Sequence, residues 1–278
     1  MNAVHLPLVV LPGARGHAPN CTPFCAAPSD LDRVITLRYP SWRTQIEGGL
    51  TGEALAEVLV AEIMDRVPKE PIVLLGVSVG GHFAYAAALR LESLGHPVAG
   101  LCIIDSGAIT AARSAGWKAR LASHAADLLR RGRPGALALH ARRLAWRGLF
   151  RFAGDDLPGF ARRHIAALER SGRIDPAFAE ELGMRLLIRV TAAWMPSLDG
   201  HAPRLVAPAA LLRTVASAAN DALWRKRCPG LRIIDLPGNH ETLFEAENAP
   251  ALHAAFLAAT AEWSSADTPP PALRASGG

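Results

Sequence analysis

The sequence predicts an α/β fold in which a mostly parallel central sheet carries helices on both faces. Two features of the chain lead to this prediction. Its apolar runs are short and continuous rather than alternating, which is typical of parallel strands covered on both faces. Segments with helical periodicity lie between several of these runs, and such alternation is typical of three-layer sheets. The predicted strands are residues 6–11, 34–38, 71–76, 98–105, 209–214 and 231–236.

Three helices are predicted beside these strands. Residues 52–64 and 82–94 repeat apolar side chains at helical spacing, and each precedes a predicted strand. Residues 251–263 have the same pattern and close the domain. Half of the 278 residues are hydrophobic, so the chain has ample material for one sizeable core.

The segment from about 110 to 204 interrupts the alternation. It reads as a series of Arg-, Ala- and Leu-rich helices separated by Gly- and Pro-containing turns at 131–135, 155–159 and 171–176. We interpret it as a helical insertion between two strands of a single α/β domain that spans residues 1–263. The Pro- and small-residue-rich tail, residues 264–278, is expected to be disordered.

Positive charge is concentrated in this insertion. It contains 17 Lys/Arg and 8 Asp/Glu, a net charge of +9 in a chain of net charge +5. A basic segment can receive an acidic partner, although a GC-rich genome would produce the same arginine content. No nucleic-acid-binding motif accompanies the charge, so we expect no nucleic-acid partner.

The termini and cysteines indicate a cytoplasmic protein without a membrane anchor. No apolar run reaches the roughly 18 residues of a membrane-spanning helix, and the N-terminus lacks the basic region of a signal peptide. Cys21 and Cys25 have no nearby histidine partner, so no metal site is expected there. Together with Cys102 and Cys228 they are interpreted as free thiols.

The segment G-V-S-V-G, residues 76–80, joins a predicted buried strand directly to an alanine-rich helix. Gly-x-Ser-x-Gly alone is a modest signal, but strand, turn and helix in this order are the setting of a nucleophile elbow. Side chains at Gly76 or Gly80 would clash in the tight turn, and Gly81 would let the helix pack close to the sheet. The helix N-terminus favours negative charge on a substrate oxygen. The pattern predicts that Ser78 is a nucleophile.

A serine nucleophile needs a general base, and His240 is the best placed of the ten histidines. It follows the predicted strand 231–236 in L-P-G-N-H-E-T-L-F, so it lies on a loop at the carboxyl end of that strand. Active sites of open α/β sheets form at this edge. His82 lies in the helix after the elbow, where a packed or exposed role is expected.

Two aspartates are candidates for the acid that orients His240. Asp105 ends the strand 98–105, and Asp221 follows the strand 209–214. Either carboxylate could reach the imidazole from the catalytic edge, and the chain order Ser, Asp, His suits both. Physical reasoning from the sequence leaves this choice open.

The oxyanion hole is expected to use two backbone N–H groups. One belongs to Val79, the residue after the nucleophile. The other comes from the loop L-P-G-A-R-G-H after the first strand, where Ala14 is the first choice and Arg15 the alternative.

Together these motifs resemble the thioesterase domains that end polyketide synthases and nonribosomal peptide synthetases. The resemblance is carried by V-V-L-P-G-A-R-G, by G-V-S-V-G-G-H-F-A-Y-A-A-A-L-R-L-E-S-L-G-H-P-V-A-G-L-C-I-I-D-S, and by L-P-G-N-H-E-T-L-F. It covers roughly residues 7–110 and 205–262. It implies an α/β-hydrolase fold whose helical lid, here about 110–204, lies between the aspartate-bearing strand and the next strand.

The resemblance also bears on the choice of acid. In that family a helix ending in L-x-x-x-G-x-x-V leads to a strand ending in Asp-Ser, and this aspartate belongs to the triad, which favours Asp105 over Asp221. Free-standing editing thioesterases more often place the acid after the later strand, so Asp105 argues for a product-releasing enzyme. The family often has His or Tyr before the serine, where this chain has Val77. Met1 favours a free-standing enzyme over an excised domain.

The chemistry implied by the resemblance is two-step acyl transfer. Ser78, deprotonated by His240, attacks a thioester on the phosphopantetheine arm of an acyl or peptidyl carrier protein, and hydrolysis or cyclisation then releases the chain. No metal or bound cofactor is needed. Because carrier proteins are usually acidic, the basic segment would serve as a docking surface. The alternatives are a serine carboxylesterase acting on small oxygen esters, a free-standing editing thioesterase, and a catalytically silent scaffold used for binding.

Overall fold

Six parallel strands form one sheet. The computed structural model describes residues 6–15, 33–109, 145–146, 148, 150, 156–170, 176–200, 204–240 and 242–263. The strands are β1 Leu8–Leu11, β2 Val34–Thr36, β3 Ile72–Val77, β4 Val98–Ile104, β5 Ala209–Thr214 and β6 Arg232–Leu236. Their order across the sheet is β2-β1-β3-β4-β5-β6, and every pairing is parallel. The strand order reverses between β1 and β3, where ligands of open α/β sheets bind at the carboxyl edge.

The helices are α1 Trp42–Glu47, α2 Gly52–Arg66, α3 Val79–Ser93, α4 Leu157–Arg170, α5 Pro176–Gly200, α6 Asp221–Arg227 and α7 Ala249–Thr260, with a 3-10 segment at Val215–Asn220. Two of them begin at hydroxyl caps. The Ser41 Oγ accepts from the backbone N–H of Thr44 at 3.2 Å, and the Thr51 Oγ1 accepts from that of Ala54 at 3.1 Å. Such caps satisfy N–H groups that have no partner within the helix.

The two faces of the sheet are covered by different helices. Alternate strand residues such as Leu75 and Cys102 share a buried cluster with Phe256 of α7. The opposite face meets α3 so closely that a Cβ on Gly76 would lie 2.5 Å from the Cα of Gly81. Successive side chains of a strand point to opposite faces, so this alternation explains why the strands read as continuous apolar runs.

The predicted sheet and its flanking helices are confirmed, with shifts at the element boundaries. The predicted strand 34–38 is shorter, although the Leu37 N–H still donates to the Val10 carbonyl at 2.9 Å. The predicted helix 82–94 begins earlier, at Val79, because the elbow turn is only one residue long. The predicted turn 155–159 overlaps the start of α4, whose first turn contains Pro158, a position where a missing N–H costs nothing.

The chain divides into two compact units. Unit 1 comprises Met1–Tyr39, Thr51–Ala108 and Ala193–Gly278 and contains the sheet. Unit 2 comprises Pro40–Leu50 and Ile109–Ala192. A single domain over residues 1–263 with a lid at about 110–204 stays a prediction.

Unit 2 has a core of its own. It is built from apolar side chains of α1, α4 and α5 together with Phe150: Trp42, Ile46, Phe150, Leu157, Ala161, Phe178, Leu182 and Leu186. The ring centroids of Trp146 and Phe178 lie 4.7 Å apart in an edge-to-face arrangement. Arg162 donates from Nε and Nη2 to the Ile46 carbonyl, at 3.1 and 2.7 Å, and so satisfies the C-terminal end of α1.

Several sequence expectations lie outside the described residues. They concern most of the segment 110–155, the tail 264–278, and the cysteines Cys21 and Cys25. None of the helices in the described ranges combines the length and apolar character needed to span a bilayer.

Candidate active site

Ser78 occupies the one-residue turn between β3 and α3. All six residues of β3 are buried, and α3 begins at Val79. The backbone of Ser78 has φ 53° and ψ −120°, and its N–H donates to the Ile104 carbonyl at 2.8 Å. A non-glycine residue in this region costs about 1–3 kcal/mol and persists only where the surrounding structure imposes it. The serine side chain therefore projects at the carboxyl edge of the sheet on a strained turn.

The glycines around this turn are required by close contacts. A Cβ on Gly81 would lie 2.6 Å from both the Cβ and the Oγ of Ser106, at the end of β4. A Cβ on Gly80 would overlap the carbonyl oxygens of Leu11 and Pro12, at the end of β1. The expected reason for Gly80, a clash within the turn itself, is therefore wrong: its constraint comes from the neighbouring strand.

His240 meets the serine from the loop after β6. Its Nε2 lies 3.2 Å from the Ser78 Oγ. The loop is shaped by reciprocal hydrogen bonds, in which the Asn239 N–H donates to the Thr242 Oγ1 at 3.0 Å and the Thr242 N–H donates to the Asn239 Oδ1 at 3.3 Å. Gly238, with φ 81°, supplies the left-handed backbone that this turn requires.

Asp105 completes a hydrogen-bonded chain. Its Oδ2 lies 2.6 Å from the His240 Nδ1. Because Nδ1–H donates to the carboxylate, Nε2 is left as an acceptor for the Ser78 hydroxyl. Asp105 follows β4 directly and, like Ser78, has a positive φ, of 43°. The structure thus brings together the three residues predicted as nucleophile, base and acid.

The second carboxylate oxygen of Asp105 is held by β5. The Oδ1 accepts from the backbone N–H of Thr214 at 3.0 Å and from its Oγ1–H at 3.1 Å. Burial by itself raises the pKa of the Asp105 carboxyl group, but hydrogen bonds from His240, Thr214 and Ser217 outweigh it and lower the pKa to about 2. Asp105 is therefore a carboxylate at neutral pH. The sequence reasoning missed Thr214, whose one available signal was its position at the end of a predicted strand.

Asp221, the alternative acid, has a different partner. Its Oδ1 lies 2.6 Å from the Arg213 Nε, and the Arg213 Nη1 lies 2.8 Å from the Asp235 Oδ1. The short contact to Nε is one between charges, since its angles fall outside those of a hydrogen bond. Of the two candidate acids, the structure brings Asp105 to His240 and Asp221 to Arg213.

The predicted oxyanion donors lie on two segments next to Ser78. Val79 is the first residue of α3, where backbone N–H groups have no acceptor within the helix. The loop that carries Ala14 passes close by, since a Cβ on Gly13 would lie 3.7 Å from the Ser78 Cβ. The loop is anchored by Tyr39, whose hydroxyl donates to the Pro12 carbonyl at 2.8 Å. Burial raises the pKa of Tyr39, so the hydroxyl remains a donor.

The remaining potential ligands do not form a metal site in the described part of the chain. No group of three or more His, Cys, Asp and Glu side chains is arranged to hold an ion among these residues. Cys102 and Cys228 are buried free thiols, and burial raises the pKa of Cys228 to about 12. Both thiols are therefore protonated and unreactive at neutral pH.

We expect Thr214→Val to destabilise the protein more at neutral pH than at low pH. The variant keeps the backbone N–H of residue 214 but loses the hydroxyl bound to Asp105. The folded-state pKa of Asp105 lies below its ordinary value of 3.8, so its stabilisation is present above about pH 4 and is lost as the pH falls towards 2. It amounts to about 2 kcal/mol, since one pKa unit corresponds to roughly 1.4 kcal/mol. Without the hydroxyl, the folded-state pKa of Asp105 should move back towards 3.8, so part of this stabilisation is missing above about pH 4 and the difference from the wild type shrinks as the pH falls towards 2.

Urea unfolding between about pH 7 and pH 2 measures how the destabilisation by Thr214→Val changes with pH. Thr260→Val is the matched control, because the buried Thr260 Oγ1 donates to the Phe256 carbonyl at 3.0 Å and contacts no titrating group. Its destabilisation should be the same at each pH. A Thr214→Val effect that is equally independent of pH would contradict the prediction.

The comparison with known families identifies the chain. A model of the thioesterase domain matches residues 7–259. The chain belongs to the thioesterase domain family. Membership supports hydrolase activity, and the fold, a parallel sheet with helices on both faces, is the α/β-hydrolase fold expected for it.

Curated relatives of this thioesterase include two fungal polyketide synthases. A stretch of 101 residues is 37% identical to the non-reducing polyketide synthase terA of Aspergillus terreus and covers 36% of this chain and 5% of the synthase. A stretch of 61 residues is 49% identical to the non-reducing polyketide synthase PKS12 of Gibberella zeae and covers 22% of this chain and 3% of that protein. The thioesterase is thus similar to small parts of both synthases.

Solved thioesterases share its fold. The NocB thioesterase domain, in covalent complex with a fluorophosphonate nocardicin G analogue, superposes with a TM-score of 0.59 at 21% identity, covering 92% of this chain and 95% of that domain. RedJ, from prodiginine biosynthesis in Streptomyces coelicolor, has a TM-score of 0.59 at 19% identity and coverages of 91% and 89%. YbtT, a type II thioesterase of yersiniabactin biosynthesis, has a TM-score of 0.55 at 20% identity and coverages of 95% and 96%.

Proposed function

We propose that this thioesterase releases an acyl or peptidyl chain from a carrier-protein phosphopantetheine thioester through an acyl-serine intermediate. The observation that supports the proposal most directly is the hydrogen-bonded chain from the Ser78 Oγ through His240 to Asp105, with contacts of 3.2 and 2.6 Å. These are the contacts that a serine nucleophile, its general base and the orienting acid need.

In the first step, the Ser78 Oγ attacks the thioester carbonyl and transfers its proton to the His240 Nε2. The C–S bond breaks, and the imidazolium returns the proton to the departing thiolate. In the second step, water or a nucleophile within the bound chain attacks the acyl-serine while His240 accepts its proton. The bond between the acyl carbon and the Ser78 Oγ breaks, and the imidazolium returns the proton to that oxygen. The Asp105 carboxylate stabilises the imidazolium in both steps.

The backbone N–H groups of Val79 and Ala14 are the proposed oxyanion hole. Val79 opens α3, so its N–H carries the partial positive charge of a helix N-terminus. Negative charge that develops on the carbonyl oxygen would be stabilised there by about 3 kcal/mol for each donor. The thioester supplies all the reacting groups, and the substrate arm is the carrier's phosphopantetheine, so the proposed reaction uses no bound cofactor.

The carrier protein is the proposed partner. Support comes from the stretches similar to two polyketide synthases and from the structural likeness to YbtT, a thioesterase of a nonribosomal peptide and polyketide pathway, because chains in such pathways grow on carriers. The basic segment 110–204, of net charge +9, would attract an acidic carrier. The contact of Asp105, rather than Asp221, with His240 supports product release over editing, since editing enzymes more often place the acid after the later strand.

The test compares matched thioesters and oxygen esters. We expect a higher kcat/KM for acyl-pantetheine thioesters than for oxygen esters of the same acyl group. Intact-protein mass spectrometry after rapid acid quench should detect a single acyl adduct on the wild type and none on Ser78→Ala. A strong preference for the oxygen esters would support a carboxylesterase instead. Absence of any adduct or turnover with both ester classes would support a silent binding scaffold.

A further inference from the structure

The three residues that follow Asp105, which we call the acid loop (residues 106–108), are each held through the backbone by a different side chain. One side chain comes from α3, one from the 3-10 segment and one from α6. The hydrogen bonds run from the Trp224 Nε1 to the Ser106 carbonyl at 2.7 Å, from the His82 Nε2 to the Gly107 carbonyl at 3.0 Å, and from the Ala108 N–H to the Asn220 Oδ1 at 3.0 Å. We call His82, Asn220, Trp224 and Arg227 the loop clamp.

The acid loop needs external support because Asp105 is strained. Its φ of 43° is a conformation that costs about 1–3 kcal/mol for a residue with a side chain. Upstream, the Asp105 N–H donates to the Leu212 carbonyl at 2.8 Å. Downstream, the loop clamp provides the restraint. If the loop relaxed, the Asp105 carboxylate would turn away from His240.

His82 is held in one tautomer. Its side chain is fully buried, and Arg227 donates from Nη1 to its Nδ1 at 2.8 Å. Nδ1 is therefore an acceptor, and the ring proton resides on Nε2, where it is donated to the Gly107 carbonyl. Burial, followed by the charge of Arg227, lowers the pKa of His82 to about 4. The ring is neutral at physiological pH, which this pattern of one donor and one acceptor requires.

Arg227 is a buried charge with compensating partners. Its side chain is 1% exposed, and Nε donates to the Asp199 Oδ1 at 2.9 Å. The guanidinium lies 5.0 Å from the centroid of the Trp224 ring and 5.3 Å from that of Tyr85. Proteins in which apolar residues replace a buried ion pair are often as stable as those that keep the pair. We therefore assign Arg227 a role in orienting His82 through the hydrogen bond to its Nδ1, rather than a role in overall stability.

We propose that His82 is a positioning residue for the thioesterase reaction, which acts by clamping the acid loop so that the Asp105 carboxylate stays on His240. The inference rests on the proposed catalytic roles of Ser78, His240 and Asp105. It assigns a function to a buried histidine that touches neither the substrate nor the reacting atoms.

The test measures the rate at which a fluorophosphonate probe labels Ser78, which requires no knowledge of the acyl substrate. His82→Leu removes both hydrogen bonds at similar volume and should lower the saturating labelling rate by about 100-fold, the effect expected of a misplaced catalytic group. The probe concentration for half-saturation should hardly change. His82→Gln should recover most of the rate, because its amide N–H can donate to the Gly107 carbonyl and its oxygen can accept from Arg227.

His96→Leu is the matched control. His96 is also buried and donates from Nε2 to the Val67 carbonyl at 2.6 Å, but it lies in the loop between α3 and β4 at the opposite edge of the sheet from Ser78. Its loss should lower the melting temperature without lowering the labelling rate. If His82→Leu fails to fold, Trp224→Phe removes the N–H donated to the Ser106 carbonyl, together with part of the buried indole ring, and the same slowing is expected of it.

A double-mutant cycle separates positioning from a general loss of structure. If His82 acts through Asp105, His82→Leu should cost little further activity in an Asp105→Asn background. Fully multiplicative losses, or wild-type labelling rates in His82→Leu, would overturn the proposal. Labelling does not depend on the acyl group. If the proposed substrate class is incorrect, only the thioester turnover differs from expectation; if the positioning role is incorrect, the labelling rates differ.

Discussion

Asp105→Asn should lower the kcat of this thioesterase by about 10⁴-fold, the loss that the same change causes in the Ser-His-Asp template. Asparagine retains the shape of the side chain and can still accept from Thr214. It cannot stabilise an imidazolium, and it favours the tautomer of His240 whose Nε2 carries the proton. That tautomer cannot accept the proton of Ser78.

Asp221→Asn is the matched comparison. Asp221 begins α6 and contacts Arg213 at 2.6 Å, so the change should reduce stability by about 1 kcal/mol and kcat by less than about 10-fold. Steady-state turnover of one acyl-pantetheine thioester by both variants measures the difference. Equal losses, or a larger loss in Asp221→Asn, would show that the acid is misassigned.

Gly80→Ala should destabilise the protein by about 3 kcal/mol or more and slow the labelling of Ser78 by about 100-fold. The added Cβ would overlap the carbonyl oxygens of Leu11 and Pro12. The loop after β1 cannot easily retreat, because the Tyr39 hydroxyl holds the Pro12 carbonyl at 2.8 Å. Displacement of this loop would also move Ala14, the proposed oxyanion donor.

Gly230→Ala is the control for a glycine substitution as such. A Cβ on Gly230 would meet nothing within 4 Å. Its stability should stay within about 0.5 kcal/mol of the wild type. Urea unfolding and fluorophosphonate labelling of both variants check the prediction. Wild-type stability in Gly80→Ala would mean that the contact between α3 and the end of β1 is looser than described.

The strands of the sheet could be predicted from the sequence because each one depends on a pattern of neighbouring residues. Each strand is a continuous apolar run, and β5 begins and ends at the predicted residues, Ala209 and Thr214. The elbow was also local: Ser78, its glycines and the strand and helix that flank it lie within about ten consecutive residues. The boundaries differ at element ends: α3 begins at Val79, directly after the one-residue turn, and β2 ends at Thr36.

The side chains that hold Asp105 and the acid loop could not be predicted from such local patterns. Thr214 lies 109 residues from Asp105, and Arg227 lies 145 residues from His82. No local pattern links residues at such separations. The sequence placed His82 only in a helix with a packed or exposed role, and it gave no weight to Trp224 or Asn220. Both aspartates followed a strand, so strand position alone could not separate them.

The sequence by itself determined the α/β architecture, the position of Ser78 at a strand-to-helix turn and the position of His240 after a strand, since periodicity and turn chemistry are properties of neighbouring residues. Only the tertiary structure decided that Asp105 faces His240 while Asp221 faces Arg213. It alone also decided that β5 holds the Asp105 carboxylate and that α3, the 3-10 segment and α6 hold the acid loop. The physical reason is that a carboxylate takes the nearest donors in space, and their identity is set by how the strands are ordered across the sheet.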